Sequence, residues 1–513
     1  MPLAKRITSK INRELGDFFP GLNAQFFMFN LQRKLFSFKS SSRFFQYTLM
    51  AFSFQLLANV FVNAQDNSPY SRYGLGDLHP SSHIYNRGMG GVTAAFSEQP
   101  STGLSDPRNG KSYSLINFSN PASYSRFFAV KELNSNKIQY GRMLLDVGVN
   151  LTSHGLHEAN NPQTFTSTNA YFSYMQIGVP LKKNWGLVLG LRPLTTIGYR
   201  IDKYERLVDP NTGQSIDSAK TQFRGDGGTF LLNTGTGFAF NNFSFGVNFG
   251  YLFGKKNYDT RRILLNDTVS YSASNHQSRS NFGGLFFNAG MQYRIDLSPN
   301  KMRYLQLGAF GNIEHKFKTH NDYIRETWVL VPTDASELRL DSVSQQNDVK
   351  GELVYPASFG AGFIIEQLPD IKQSGWLIGV DVSNTNWDNY SFNGQTDAVK
   401  TNWQLRVGGQ MRPRLKESYS SLMAYRAGAF FGDDYVNINN QKLPVWGISG
   451  GISLPIANLK DASRRFRSQY SVVNISAEYI RRGNNDNPIS ENLFRLSFGF
   501  TLSDLWFTKR KYN

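Results

Sequence analysis

The stretch FRLSFGFTL, residues 494–502, decides the fold. Phe494, Leu496, Phe498, Phe500 and Leu502 fall on one face of an extended chain, and Arg495, Ser497, Gly499 and Thr501 fall on the other. An apolar face alternating with a polar or glycine face at period two is the mark of a β-strand. The pattern recurs upstream. Phe243, Phe245, Val247, Phe249, Tyr251 and Phe253 oppose Ser244, Gly246, Asn248 and Gly250, and Val473, Ile475, Ala477 and Tyr479 oppose Asn474, Ser476 and Glu478. Leu145 to Leu151 and Trp403 to Val407 behave in the same way.

Composition agrees. Of 513 residues 40% are hydrophobic and 14% aromatic, with 45 glycines and no cysteine. The absence of cysteine excludes a disulfide framework and a thiolate metal site. The aromatic content excludes a disordered chain. A helical membrane protein needs several apolar runs of ~18 residues, which are scarce here.

Fourteen alternating segments stand near 139–153, 167–180, 184–201, 228–241, 243–261, 277–297, 303–318, 350–366, 374–392, 400–412, 421–433, 443–457, 468–483 and 489–503. Tight turns at Lys182-Lys183-Asn184, Asn241-Asn242 and Ser298-Pro299-Asn300 alternate with larger connections near 202–227, 262–276 and 319–349. The connections 457–467 and 484–488 break that rule. Short turns on one end and long ones on the other, with an even strand count, predict an all-β transmembrane antiparallel barrel of about fourteen strands whose two chain ends lie in the periplasm. In a soluble sandwich the apolar face would point inward instead. Trp185, Trp376, Trp387, Trp446 and Trp506 near strand ends suit interfacial girdles.

Residues 1–64 differ from the rest. Lys34, Lys39 and Arg43 precede the run YTLMAFSFQLLANVFV, residues 47–62, and Val62-Asn63-Ala64 offers a cleavage site. This reads as a secretory signal peptide cleaved after about Ala64, the alternative being a buried core helix. Met28 and Met50 are alternative starts. The leader holds eight basic and two acidic residues, so removing it lowers the net charge from +17 to +11. An exported basic chain suits membrane lipids and lipopolysaccharide rather than nucleic acid. Clusters at Arg464-Arg465-Phe466-Arg467 and Lys509-Arg510-Lys511 read as solvated turns. The expected layout is a leader at 1–64, an N-terminal hatch or plug at 65–138, the barrel at 139–503 and a periplasmic tail at 504–513.

The N-terminal segment does not alternate. It carries Asn86-Arg87-Gly88-Met89-Gly90-Gly91, then Ala94-Ala95, then Asn120-Pro121-Ala122. These resemble the hatch of the long-chain fatty acid transporter (FadL-type) outer-membrane family, whose members carry an Asn-Pro-Ala tripeptide in an N-terminal plug before a fourteen-stranded barrel. Pro69 to Asp77 and Asp504 to Lys511 resemble a Bacteroidetes branch of that superfamily. The resemblance implies passive uptake of a hydrophobic small-molecule ligand, with Asn86, Gly90, Gly91, Asn120, Pro121 and Ala122 in the gate. It also implies a sideways exit at a kink in the third strand. That segment contains Arg192-Pro193-Leu194, and a proline removes a ladder hydrogen bond. Pro193 is therefore the expected lateral-exit kink, the alternative being an ordinary bulge near the strand end. Pro356 reads as a strand-entry proline. Some relatives of this fold serve protein export by the type IX secretion machinery, so the alternative function is an interaction barrel with periplasmic or secretion-system proteins as partners.

Chemistry of other kinds is not expected. Gly447-Ile448-Ser449-Gly450-Gly451 matches G-x-S-x-G, but a nucleophile elbow needs a strand–turn–helix context. His154 and His157, with His315 and His320 elsewhere, could bind metal from a loop, but the first two read as solvated loop residues, and Asp433-Asp434 and Asn484 to Asn487 read as plain turns. No catalytic residue, metal site or cofactor is expected. Glycine runs such as Gly235-Thr236-Gly237 read as strand glycines that admit a plug to close approach.

Overall fold

In the computed structural model the described residues are 68–97, 115–127, 129–131, 138–158, 163–265, 272–300, 302–330, 337–370, 372–414, 419–456, 470–484 and 486–506. The leader, the Arg464–Arg467 cluster and the Lys509–Lys511 cluster fall outside them.

Fourteen antiparallel strands form one sheet. In chain order they are β1 (Ile138–Glu158), β2 (Thr164–Lys182), β3 (Trp185–Val208), β4 (Ser215–Phe240), β5 (Phe243–Leu264) and β6 (Ala273–Asp296). Next come β7 (Arg303–Asn312 with His315–Leu330), β8 (Glu337–Tyr355 with Ser358–Gln367), β9 (Gly375–Thr385) and β10 (Asn402–Arg412). The last four are β11 (Ala424–Asp433), β12 (Pro444–Ile456), β13 (Tyr470–Arg482) and β14 (Ile489–Trp506). β14 pairs back onto β1, with Leu496 opposite Leu151, and this closes the barrel. All fourteen expected segments are strands.

The alternation points the apolar face outward. In β5, Phe245, Phe249 and Tyr251 are 43–49% exposed while Ser244, Asn248 and Leu252 are buried. A water-soluble sheet would do the reverse; this band belongs against lipid. Among the described residues no helix is long and apolar enough to cross a membrane, and strands that exchange all their ladder bonds can cross instead. Trp185 and Trp376 start strands at the short-turn end, and Trp446 starts β12 at the other.

Four expectations change. The segments 202–227 and 319–349 are largely strand, as are both described ends of 262–276, because β3–β4, β5–β6 and β7–β8 rise as tall hairpins. Beyond the bilayer both faces meet water, so the apolar alternation stops although the backbone ladder continues. Pro356 interrupts the middle of β8 rather than starting it, opposite the break at Ile313-Glu314 in β7, where the Asn312 amide donates to the Pro356 carbonyl at 3.0 Å. β14 runs to Trp506, past residue 503. Trp387 is not an interfacial residue; it lies buried inside the barrel against Tyr435, ring centroids 4.3 Å apart.

Candidate functional site

The N-terminal segment touches strands all around the ring, which places it inside the wall. Two rows of wall glycines make the seat. Gly186, Gly237, Gly246 and Gly290 are successive cross-strand partners on β3 to β6. A Cβ on any of them would run into Asn120, Pro121 or Tyr124 of the segment. Gly379, Gly408 and Gly428 form a second row on β9 to β11, against Val92, Met89 and Gly90. Glycine at these inward positions lets backbone approach backbone. The glycine runs therefore do what their sequence suggested.

The expected gate residues organise the segment itself. Asn86 lies in a single helical turn, Ile84–Arg87, and its side-chain amide donates to the Val92 carbonyl at 2.5 Å. Gly90 and Gly91 hold φ of +70° and +83°, conformations that favour glycine. The Gly90 N–H donates to Ser449 Oγ at 2.9 Å. Asn120 caps the short helix Pro121–Arg126, its Oδ1 accepting from Ala122 N–H at 3.1 Å, and Pro121 takes the first helical position where no N–H is needed. Asn120 Nδ2 reaches the Ala94 carbonyl at 2.6 Å, joining the two halves of the segment. Ala122 is fully buried. Asp381 of β9 accepts from the N–H groups of Thr93 and Ala94 at 2.5 and 2.7 Å. Ser449, the centre of the G-x-S-x-G match, lies within β12, paired on both sides.

Buried charge fastens the segment at two places. Arg87 donates to Asn150 Oδ1 at 2.7 Å, Ser173 Oγ at 2.8 Å and the Ser82 carbonyl at 3.0 Å. Burial pulls its guanidinium pKa below the ordinary value, and these acceptors offset part of that desolvation. His83 pairs with Asp146 of β1. Towards the long-hairpin end, Arg482 gathers Asp77 at 2.8 Å, Asp434 at 2.9 Å and Glu491 at 3.3 Å, and its guanidinium lies 4.9 Å from the Tyr70 ring centre. Ser68 hydrogen-bonds Glu491. Asp434 is thus part of a clamp and not a plain turn residue. His154 is likewise an inward, buried residue of β1 and not a loop residue, and His157 is also in β1. Sequence reasoning missed this clamp because its members are scattered across the chain.

Beside the clamp lies an apolar cluster. Tyr70 and Leu75 of the segment pack with Leu231, Leu252, Phe282, Phe286, Phe317, Trp387, Tyr390 and Tyr435, and Leu194 packs against the same cluster. Lys256 reaches in from β5 and donates to the Gly74 carbonyl at 2.9 Å.

Leu194 adjoins a seam in the wall. β2 and β3 pair from Lys182 opposite Trp185 only as far as Met175 opposite Leu191. β2 continues against β1 and β3 continues against β4, with a register shift between Pro193 and Thr195. Pro193 is therefore mid-strand. Above it, Asp77 and Leu78 pair with Thr196 and Thr195. His79 bridges the gap: its N–H donates to the Leu194 carbonyl at 2.8 Å, its Nε2 lies 2.6 Å from Thr196 Oγ1, and its ring stands 4.5 Å from that of Tyr171 on β2. Among the described residues no group of His, Asp and Glu side chains could hold a metal ion.

The chain is similar to several solved structures. One is titled the CymD monoaromatic hydrocarbon channel, at 14% identity, covering 83% of this chain and 97% of that one with a TM-score of 0.45. A FadL homologue of Pseudomonas aeruginosa stands at 13% identity, 85% and 100% coverage and 0.47. The toluene transporter TodX of Pseudomonas putida stands at 13%, 84% and 99%, and 0.45. No curated protein sequence matches the chain. Residues 46–513 match the BamG family, and the chain belongs to it.

Proposed function

We propose that this chain is an outer-membrane barrel for passive uptake of hydrophobic small molecules, in which the N-terminal segment is the hatch and the seam above Leu191 is a lateral exit. The observation that carries this reading is the early end of the β2–β3 ladder. Pro193 pairs with Phe230, which pairs with Phe253, and both phenylalanines are exposed in the apolar band. The gap therefore opens at the level of lipid. Lipid offers no partner to an unpaired backbone edge, so such an edge is costly unless a function keeps it. The cover is slight: two paired residues and the His79 contacts. Behind it, Leu194 connects the seam to the aromatic cluster. A ligand leaving that cluster through the seam would stay among apolar side chains, driven by its own partitioning into the bilayer.

The test is uptake of a labelled hydrocarbon by vesicles carrying the barrel, with and without a disulfide joining β2 to β3 across the seam. Uptake that is indifferent to the closed seam would remove the lateral route.

A second reading, a barrel that serves protein partners, including secretion components, is favoured by the tall hairpins. Leu338 and Val343, at 53% and 68% exposure, stand on the β7–β8 hairpin beyond the apolar band. Co-purification of a stoichiometric protein partner that is lost when both are changed to Asp would support it.

A further inference from the structure

Further down β13 and β14 from the Arg482 clamp, towards the short turns, β13, β14, β1 and β2 present polar side chains in register. Ser476 pairs with Ser497, Ser497 with Asn150, and Asn150 with Tyr171. In the next row towards the long hairpins, Glu478 pairs with Arg495 and Arg495 with Thr152. Direct cross-strand neighbours stand ~5 Å apart, so these residues share one small patch. Asn150, Thr152, Ser476 and Ser497 are 0–2% exposed, and Glu478 and Arg495 are 5% and 8%.

Much of this patch has no protein partner. Asn150 Nδ2, Thr152 Oγ1, Ser476 Oγ and Arg495 Nε are buried without a hydrogen bond from the chain. A buried polar atom left unpaired costs free energy, so such a set calls for an occupant. The chemistry of the atoms selects it. An amide N–H and a guanidinium N–H only donate, and the two hydroxyls can donate. Two guanidinium groups border the patch, Arg495 from the wall and Arg87 from the N-terminal segment, 3.5 Å from Ser497 Oγ. The nearest carboxylate is engaged, Glu478 accepting from Arg495 Nη1 at 3.3 Å; Asp146, two rows towards the short turns, gives one oxygen to His83 and leaves the other without a protein partner. Tyr171 ends the first row on β2, where its ring meets His79 at the seam.

We propose that this patch is a binding site for one oxyanion of the phosphate type, either a free anion or the headgroup of a lipid entering by the seam. Donors without acceptors and two flanking guanidinium groups are the arrangement that recognises it. The site is separate from the aromatic cluster, and it stands whether or not hydrophobic uptake does.

The experiment is titration calorimetry on the detergent-solubilised full barrel at constant ionic strength, with inorganic phosphate in one arm and a short-chain phosphatidic acid in the other. Saturable one-to-one binding is expected in at least one arm; phosphate alone identifies a free anion, and phosphatidic acid alone a headgroup. The paired substitution Thr152→Val and Ser476→Ala should weaken binding about tenfold or more, since two hydrogen bonds are lost. Arg495→Lys keeps the charge, loses the Nε donor and should weaken it as well, which guards against a fold defect in the first variant. Heat-modifiable gel migration verifies the barrel in each case. No binding in either arm, or binding that both variants leave unchanged, overturns the site and leaves water as its occupant.

Discussion

Gly451 of β12 meets Gly88 of the N-terminal segment backbone to backbone: a Cβ on Gly451 would stand 2.8 Å from the Gly88 Cα. Neither side can yield without moving main chain. Gly451→Val should overpack this contact, at about 1–3 kcal/mol. The wall is held by ladders on both sides, so the segment is the part expected to shift. Planar-bilayer recordings should then show a higher conductance than the parent barrel. An unchanged conductance in a correctly folded variant would mean the seat is tolerant.

Removing residues 86–122 takes out Arg87, the bonds to Asp381 and the Asn120 anchor together. Leakage of small polar and hydrophobic solutes into vesicles should rise. If a correctly inserted deletion variant leaks no more than the parent, the segment does not gate the lumen.

Pro193→Val restores an N–H where the β2–β3 ladder stops. With the proline gone, β2 and β3 can zip further towards the long-hairpin end, and hydrophobic uptake should fall while the barrel stays intact. Undiminished uptake would reduce Pro193 to a structural kink.

Arg482→Met strands Asp77, Asp434 and Glu491 without their shared cation. Breaking a buried ion pair by removing one partner costs about 3–5 kcal/mol. The loss should fall on the start of the segment, near Ser68 and Tyr70, and limited proteolysis should cut there faster than in the parent. Protection equal to the parent would show that the aromatic cluster alone holds this end.

The legible part of the site was that whose signal is local. Asn120-Pro121-Ala122 stands out in the sequence through its resemblance to a known hatch, and the fold adds that Asn120 caps the short helix Pro121 opens. Gly237 and its neighbours were readable as points of close approach because a strand glycine has few other uses. Asp434 and His154 were not readable: an acidic pair between strands looks like a turn, and a histidine in a polar stretch looks solvated. The clamp joins Arg482 to Asp77 across 405 positions of sequence, and no local pattern encodes that.

The fourteen strands, and which face of each is apolar, are legible in the chain alone, because period two is a property of neighbouring residues and a bilayer demands it of every strand. Where the ladder between β2 and β3 ends, how far the hairpins rise, and which inward side chains share the lumen emerge only in the closed barrel. Those outcomes depend on register around a closed ring and on the path of the N-terminal segment through it. Residues far apart in the chain become neighbours only when the ring closes.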